Sequence, residues 1–133
     1  MHICHISTVH PRTDTRIFLK YCKTSGSNYG QCSFIVADGK GSLRDGNVDI
    51  IDLGKSRTPL RRIFSGFFKV IKNALKIRAN VFHIHDPELI FAGIFLRMLK
   101  KIVVMDIHED APAQLKDKHY LNSALKSTLS VSL

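Results

Sequence analysis

A short, mostly apolar run, Val81-Phe82-His83-Ile84-His85, broken at once by Asp86-Pro87, constrains this chain more than any other feature. The run reads as a buried strand. Because proline is tolerated in the first turn of a helix and not in its interior, the strand must hand over directly to a helix starting at Pro87. The same arrangement returns about one crossover later, where Ile102-Val103-Val104-Met105-Asp106-Ile107 ends in His108-Glu109-Asp110. Two neighbouring strands are therefore expected to deliver imidazoles and carboxylates to one sheet edge. In open α/β sheets, ligands bind outside the carboxyl ends of the strands.

The rest of the chain supplies the sheet around that pair. His2 to Thr8 reads as a first, central strand, followed by a polar loop, Val9 to Arg16, in which Pro11 breaks the strand. Asp14 or Thr15 is placed to cap a helix from about Arg16 to Thr24, and Ser25-Gly26-Ser27-Asn28 should stop that helix early. Cys32 to Ala37 is a continuous apolar strand, and Val48 to Leu53 a third strand. The Gly-rich connection between them, Asp38 to Asn47, has no helical pattern and is short for a parallel crossover, so the third strand is expected as an antiparallel ribbon or an edge. From Pro59 the apolar spacing turns helical: Leu60, Ile63, Phe64, Phe67, Phe68, Ile71, Ala74 and Leu75 form one face. The opposite face is purely basic. A further helix, Pro87 to about Leu99, is hydrophobic nearly all round and should be buried. The element order predicts an α/β domain with a Rossmann-like, mostly parallel sheet ordered 3-2-1-4-5 and helices on both faces. The domain should span residues 2–120, with 121–133 an incomplete tail.

Composition narrows the function classes. With 133 residues, 44% of them hydrophobic and 23% charged, the chain is one globular domain's worth. Three cysteines, Cys4, Cys22 and Cys32, in no CxxC spacing favour buried thiols in a reducing compartment over a disulfide framework. No apolar run approaches the roughly 18 to 20 residues that a membrane span requires. Twenty basic and 11 acidic side chains give a net charge of +9, and no acidic residue lies between Asp52 and Asp86. An anionic neighbour follows from that imbalance. The stretch carries no nucleic-acid-binding motif, which directs the basic helix toward anionic lipid headgroups or solvent rather than nucleic acid. GxGxxG is absent after the first strand, which argues against a dinucleotide cofactor.

Two readings of the sheet edge remain open on the residues alone. The loop bearing Arg12 and Arg16 sits beside a helix N-terminus, where free N–H groups favour anions; it is a phosphate- or acceptor-binding loop or a capped, solvated turn. His83 and His85 share a strand face, as do Asp106 and His108. They suit a rim for a polar, hydroxyl-rich ligand, with one histidine as acid or base. A metal site would need a third strand's ligand, His5 or His10, and no metal is assigned. His83 is read as a satisfied core histidine. Asp86 could cap the helix that follows it, but for His85, Asp86 and His108 the functional reading is preferred.

Three segments, His10-Pro11-Arg12-Thr13-Asp14-Thr15-Arg16-Ile17-Phe18, Phe82-His83-Ile84-His85-Asp86-Pro87-Glu88-Leu89 and Asp106-Ile107-His108-Glu109-Asp110, resemble in order and spacing the N-terminal domain of family 4 glycosyltransferases of the GT-B fold. The resemblance covers about residues 2 to 120. It implies a retaining transfer of a sugar from a nucleotide-sugar donor to a glycan or lipid-linked acceptor, with no cofactor and no essential metal, in which this domain holds mainly the acceptor. By this likeness His108 matches the catalytic histidine that reaches the donor sugar across the cleft. Arg12, Asp14 and Arg16 lie in the first loop facing that cleft, and with His85, Asp86, Glu109 and Asp110 they make the substrate-binding edge. Many relatives act at the cytoplasmic membrane face, so the expected location is cytoplasmic, peripheral to the inner face of the cell membrane.

The sequence departs from the family in two places. Many members carry a glycine pair in the first loop, where this chain has Thr13 and Asp14. The C-terminal, nucleotide-binding domain has no counterpart here, so the expectation is a truncated product or one half of a split enzyme, inactive without a donor-binding domain or partner chain. The competing expectations are a stand-alone Rossmann-like binding module that docks on a partner or anionic membrane, and a small metal-dependent hydrolase.

Overall fold

The computed structural model describes residues 1–106, and His108, Glu109, Asp110 and the 121–133 tail lie outside the described residues. Within them the chain forms β1 (His2–Ile6), a helical segment that is π-helical over Thr15–Cys22 and α-helical over Lys23–Tyr29 (α1), then β2 (Gln31–Val36), β3 (Leu43–Asp45) and β4 (Val48–Asp52). There follow α2 (Pro59–Ile77), β5 (Val81–Ile84), a 3-10 turn at Pro87–Leu89 leading into α3 (Ile90–Met98), and β6 (Ile102–Met105). The six strands form one sheet, ordered β3-β4-β2-β1-β5-β6. Every pairing is parallel except β3 with β4. This α/β architecture is compatible with the Rossmann-like expectation, and the expected order of the five longer strands is the observed one.

Strand alternation divides the interior into two cores. Cys4 and Ile6 of β1, Ile35 of β2 and Phe82 and Ile84 of β5 point to the face covered by α2 and α3, where they meet Val70, Ala74, Ala92 and Leu96. Cys32, Phe34 and Val36 of β2 point the other way, with Val48 and Ile50 of β4, against Ile17, Phe18 and Cys22 of the first helical segment. The three cysteines are buried and free. No helix among the described residues is long and apolar enough to cross a membrane.

Four local expectations are corrected. First, β4 does form an antiparallel ribbon, with β3, but it runs parallel to β2 and is no edge. No helix is needed because β3 itself carries the chain back to the start of β4, and the loop before it is held at the carboxyl end of the sheet, where the Asp52 carboxylate accepts from Gly39 N (3.1 Å), Gly41 N (2.8 Å) and Gly54 N (2.9 Å). Second, the first helix continues through Ser25-Gly26-Ser27-Asn28 to Tyr29. Packing overrides propensity here: Gly26 lies so close to the β3–β4 turn that a Cβ would stand 3.1 Å from Asn47 Cβ and 3.2 Å from its carbonyl oxygen.

Third, α3 is not buried all round. Its small residues, Ala92 and Gly93, face the sheet, which lets the helix settle against Ile84 and Met105, and Phe91 (69% exposed) and Met98 (74% exposed) face away. Fourth, the apolar face of α2 is only partly core. Val70, Ala74 and Gly66 are buried, whereas Phe64 (70%) and Phe68 (71%) stand in the open. Nor is its basic face wholly solvated, because Arg62 turns inward and makes a bidentate pair with nearly buried Glu88 (2.9 and 3.0 Å).

Candidate functional site

The strand order reverses direction between β1 and β5, and the carboxyl ends of these two strands meet through Asp86. Its carboxylate is fully buried and accepts from the Ser7 hydroxyl (2.9 Å), the Thr8 amide, the Thr8 hydroxyl (3.3 Å) and the Val9 amide (3.1 Å), with His10 Nδ1 at 3.1 Å. Burial acts to raise this carboxyl, but the bonds from His10, Thr8 and Ser7 outweigh it and hold the pKa below the ordinary value. Asp86 makes no side-chain bond to the helix after it. It neither caps that helix nor opens to solvent; it clamps the loop after β1 onto the end of β5.

The other predicted loop residues take distinct places. Arg12, 8% exposed, is committed to Asp38 through Nε (2.7 Å) and Nη2 (2.6 Å), with Nη2 also donating to the Gly41 carbonyl (2.7 Å). That fork neutralises the cation and pins the β1 loop to the loop after β2, so Arg12 is built into the scaffold of the edge. Its guanidinium brings the Asp38 carboxyl down to about 2. Asp14 is the N-cap, its Oδ1 accepting from Ile17 N at 2.8 Å, as the sequence led one to expect. Arg16 alone of the three stays close to the strand ends, with a buried Nε that has no hydrogen-bond partner.

Arg16 reaches this position because the first helical segment is wound wide. Lys23 N–H bonds the Phe18 carbonyl five residues back, so residues five apart share a face. Ile17 and Cys22 are thereby both turned into the core, and Arg16 and Tyr21 both act on the same spot above β5. The Tyr21 ring stacks on His85 (centroids 5.5 Å apart, planes at 21°) and lies 5.4 Å from His83. A hydrogen bond with Asp106 raises the Tyr21 phenol above its ordinary pKa.

Beneath Tyr21 three imidazoles converge. His5 and His83 are direct partners across the β1–β5 ladder, and His85 follows His83 on the same strand face. His5 Nδ1 lies 3.1 Å from His85 Nε2, and the rings of His83 and His85 stack at 4.4 Å. Ser25 Oγ is 3.3 Å from His5 Nε2. On the far side the Asp106 carboxylate lies 3.6 Å from His83 Nε2 and 4.0 Å from His85 Nδ1. Burial and the neighbouring imidazoles lower His5 to about 3. Burial and His83 bring His85 to about 4 against the opposing pull of Asp106 and Asp86. Both rings are therefore neutral near pH 7 and able to accept or donate one hydrogen bond at each nitrogen.

His83 is thus not a core histidine: its side chain is 17% exposed and, with His5, Tyr21 and Val104, it lines an open groove of ≈ 420 Å³ beside α1. Tyr21 was not among the expected site residues, and His5 only as the third ligand that a metal site would need. The signal for His5 was present, since Cys4-His5-Ile6 and Phe82-His83-Ile84 repeat one apolar-His-Ile triplet on two strands expected to be neighbours. Nothing in a 3.6-residue periodicity could have placed Tyr21 with Arg16. Comparison with family models, curated proteins and solved structures found no match for this chain.

Proposed function

We propose that this chain is the acceptor-side half of a retaining glycosyltransferase of the GT-B kind, related to family 4, taking a sugar from a nucleotide-sugar to a glycan or lipid-linked acceptor. The observation that carries the reading is the junction at the switch point. Asp86 ties the β1 loop to the end of β5, and Arg16 and His85 gather beside it on the sheet edge where α/β folds bind ligands. Of the three segments that resemble the family, the first two meet at that edge, and Asp106 of the third lies beside His83 and His85. In this role Arg16 supplies a fixed positive charge toward an anionic substrate, while Tyr21, stacked over the buried His85, gives an aromatic and hydrogen-bonding floor suited to a hydroxyl-rich ligand. His108 is the catalytic residue in this reading. A second domain must supply the nucleotide contacts, because transfer requires both substrates held together.

The test reads the coding DNA beyond codon 133 in all three frames, co-expresses any second Rossmann-like half with this chain, and follows labelled sugar from a set of nucleotide-sugars. The expected result is transfer by the pair and none by this chain alone, with His108→Ala lowering the rate by roughly 100-fold or more. Absence of such a half, or transfer indifferent to His108→Ala and Arg16→Ala, sinks the proposal.

A second reading, a module docking on anionic membrane, is favoured by a separate observation. Phe64, Phe67, Phe68 and Phe91 line an apolar groove of ≈ 360 Å³ between α2 and α3, beside the exposed Arg61, Lys69, Lys72 and Lys76. The two readings are compatible, since a lipid-linked acceptor brings the enzyme to a membrane.

A further inference from the structure

We infer that His5, His83 and His85 form a binding site for a single borderline transition-metal dication of the zinc type, with Asp106 as the carboxylate that orients the imidazoles. The inference does not rest on the transferase reading, which requires no metal. One nitrogen from each of the three rings lies within 4.8 Å of the other two. The shortest separation, 3.1 Å between His5 Nδ1 and His85 Nε2, is close to the roughly 3.3 Å edge that two ligands at about 2.0 Å make in a tetrahedral site. Three imidazoles suit zinc, cobalt or nickel rather than magnesium or calcium, which demand oxygen.

The surroundings fit an ion better than they fit three packed histidines. In the chain as it stands, one of His5 Nδ1 and His85 Nε2 donates to the other. Whichever it is, the second nitrogen of His85, Nδ1, is buried with no hydrogen-bond partner. An ion on Nε2 resolves this, because it fixes the His85 proton on Nδ1, which faces the Asp106 carboxylate at 4.0 Å and needs a shift of only about an ångström to bond it. That is the carboxylate–histidine–metal arrangement by which proteins set ligand tautomers. On the opposite side Ser25 Oγ stands at His5 Nε2, orienting that ring in the same way. The groove beside His83 leaves a fourth position open to solvent or a ligand oxygen.

His5 also lies near Cys22 and Cys32 in an alternative set. Those sulfurs belong to the packed apolar core and line none of the groove beside His83, so they leave the ion no open position.

The experiment strips the full chain with chelator and titrates it with Co²⁺ by visible absorption and with Zn²⁺ by calorimetry. The expected result is one ion per chain, the intense visible bands of four- or five-coordinate cobalt, and a raised unfolding temperature in the presence of zinc. Near-ultraviolet thiolate charge-transfer should be absent. His83→Gln, at a partly exposed position, should fold and weaken binding by more than the roughly 10- to 100-fold that loss of an outer partner costs. Asp106→Asn should weaken it within that range, and His10→Gln should leave it unchanged. Failure of the wild-type chain to bind stoichiometrically, binding unaffected by His83→Gln, or a thiolate charge-transfer band would each overturn the assignment.

Discussion

At the scale of single residues, the buried carboxylate of Asp86 has the largest predicted effect. Oδ2 accepts from two backbone amides, which can only donate; Oδ1 faces the Ser7 hydroxyl and His10 Nδ1, which can also accept. Asn can therefore keep its oxygen on the amides and turn its NH₂ toward Ser7 and His10, whereas Ala leaves the buried amides without partners. Asp86→Ala should cost about 3 kcal/mol and Asp86→Asn about 1 kcal/mol in urea unfolding. Equal costs would refute the clamp. The Arg12–Asp38 fork gives a pH prediction. Asp38 titrates at about 2 in the folded chain against 3.8 ordinarily, so its stabilisation is complete above 3.8 and disappears as the pH falls toward 2. The stability gap between wild type and Asp38→Asn should be constant at neutral pH and close over that acid window; a gap independent of pH would assign the effect to packing. The sequence made the shared strand face of His83 and His85 and the Asp14 cap legible, because period-two alternation and capping chemistry are local, but it misread His83 as a core histidine. It could not reveal that Arg12 is consumed by a carboxylate 26 residues on, or that Tyr21 stacks over His85, since both depend on how distant segments are brought together.

At the scale of elements, the five longer strands and the start of the first helix were legible, whereas β3 and the winding and length of that helix were not. Strands declare themselves by short apolar runs between breakers, and the five longer ones fall in their expected order. The helical segment Thr15–Tyr29 breaks two rules at once, widening to π geometry where 3.6 periodicity is assumed and continuing through residues of poor helix propensity. Gly26 is where the second exception is enforced. On propensity alone, Gly26→Ala should stabilise α1 by up to about 1 kcal/mol. The added methyl, however, meets backbone as well as side-chain atoms of Asn47 at 3.1–3.4 Å, and that overpacking costs about 1–3 kcal/mol. The variant should be destabilised by about 1 kcal/mol, while Ser27→Ala, on the exposed side of the same turn, should gain a few tenths of a kcal/mol. Thermal unfolding of both decides the matter, and a stabilised Gly26→Ala would mean that the turn yields without cost.

At the scale of the whole molecule, the two sheet faces differ in what they leave uncovered. On the α2–α3 side, Phe64, Phe68, Lys72 and Lys76 succeed one another every four residues, a spacing that runs along a helix surface as one ridge. Its aromatic half borders exposed Phe91 and continues into its basic half, on a chain whose net charge is +9. A purely core-packed helix has no reason to leave two phenylalanines about 70% exposed, and a purely solvated one gains nothing from them. Together they suit an interface that is apolar at depth and anionic at its rim, as at a phosphatidylserine-rich bilayer. There each basic side chain near the surface contributes about 1 kcal/mol, and apolar burial adds about 25 cal/mol per Å². The chain should float with vesicles containing phosphatidylserine and not with phosphatidylcholine alone. Added salt should release it in part, because salt screens the basic rim and leaves aromatic insertion intact. Lys72→Glu with Lys76→Glu should abolish the anionic preference, and Phe64→Ser with Phe91→Ser should lower affinity on both compositions without reducing unfolding stability, since neither ring belongs to the core. If the phenylalanine variant instead turns an oligomer into a monomer and leaves flotation unchanged, the ridge is a contact between copies of this chain and the membrane reading fails.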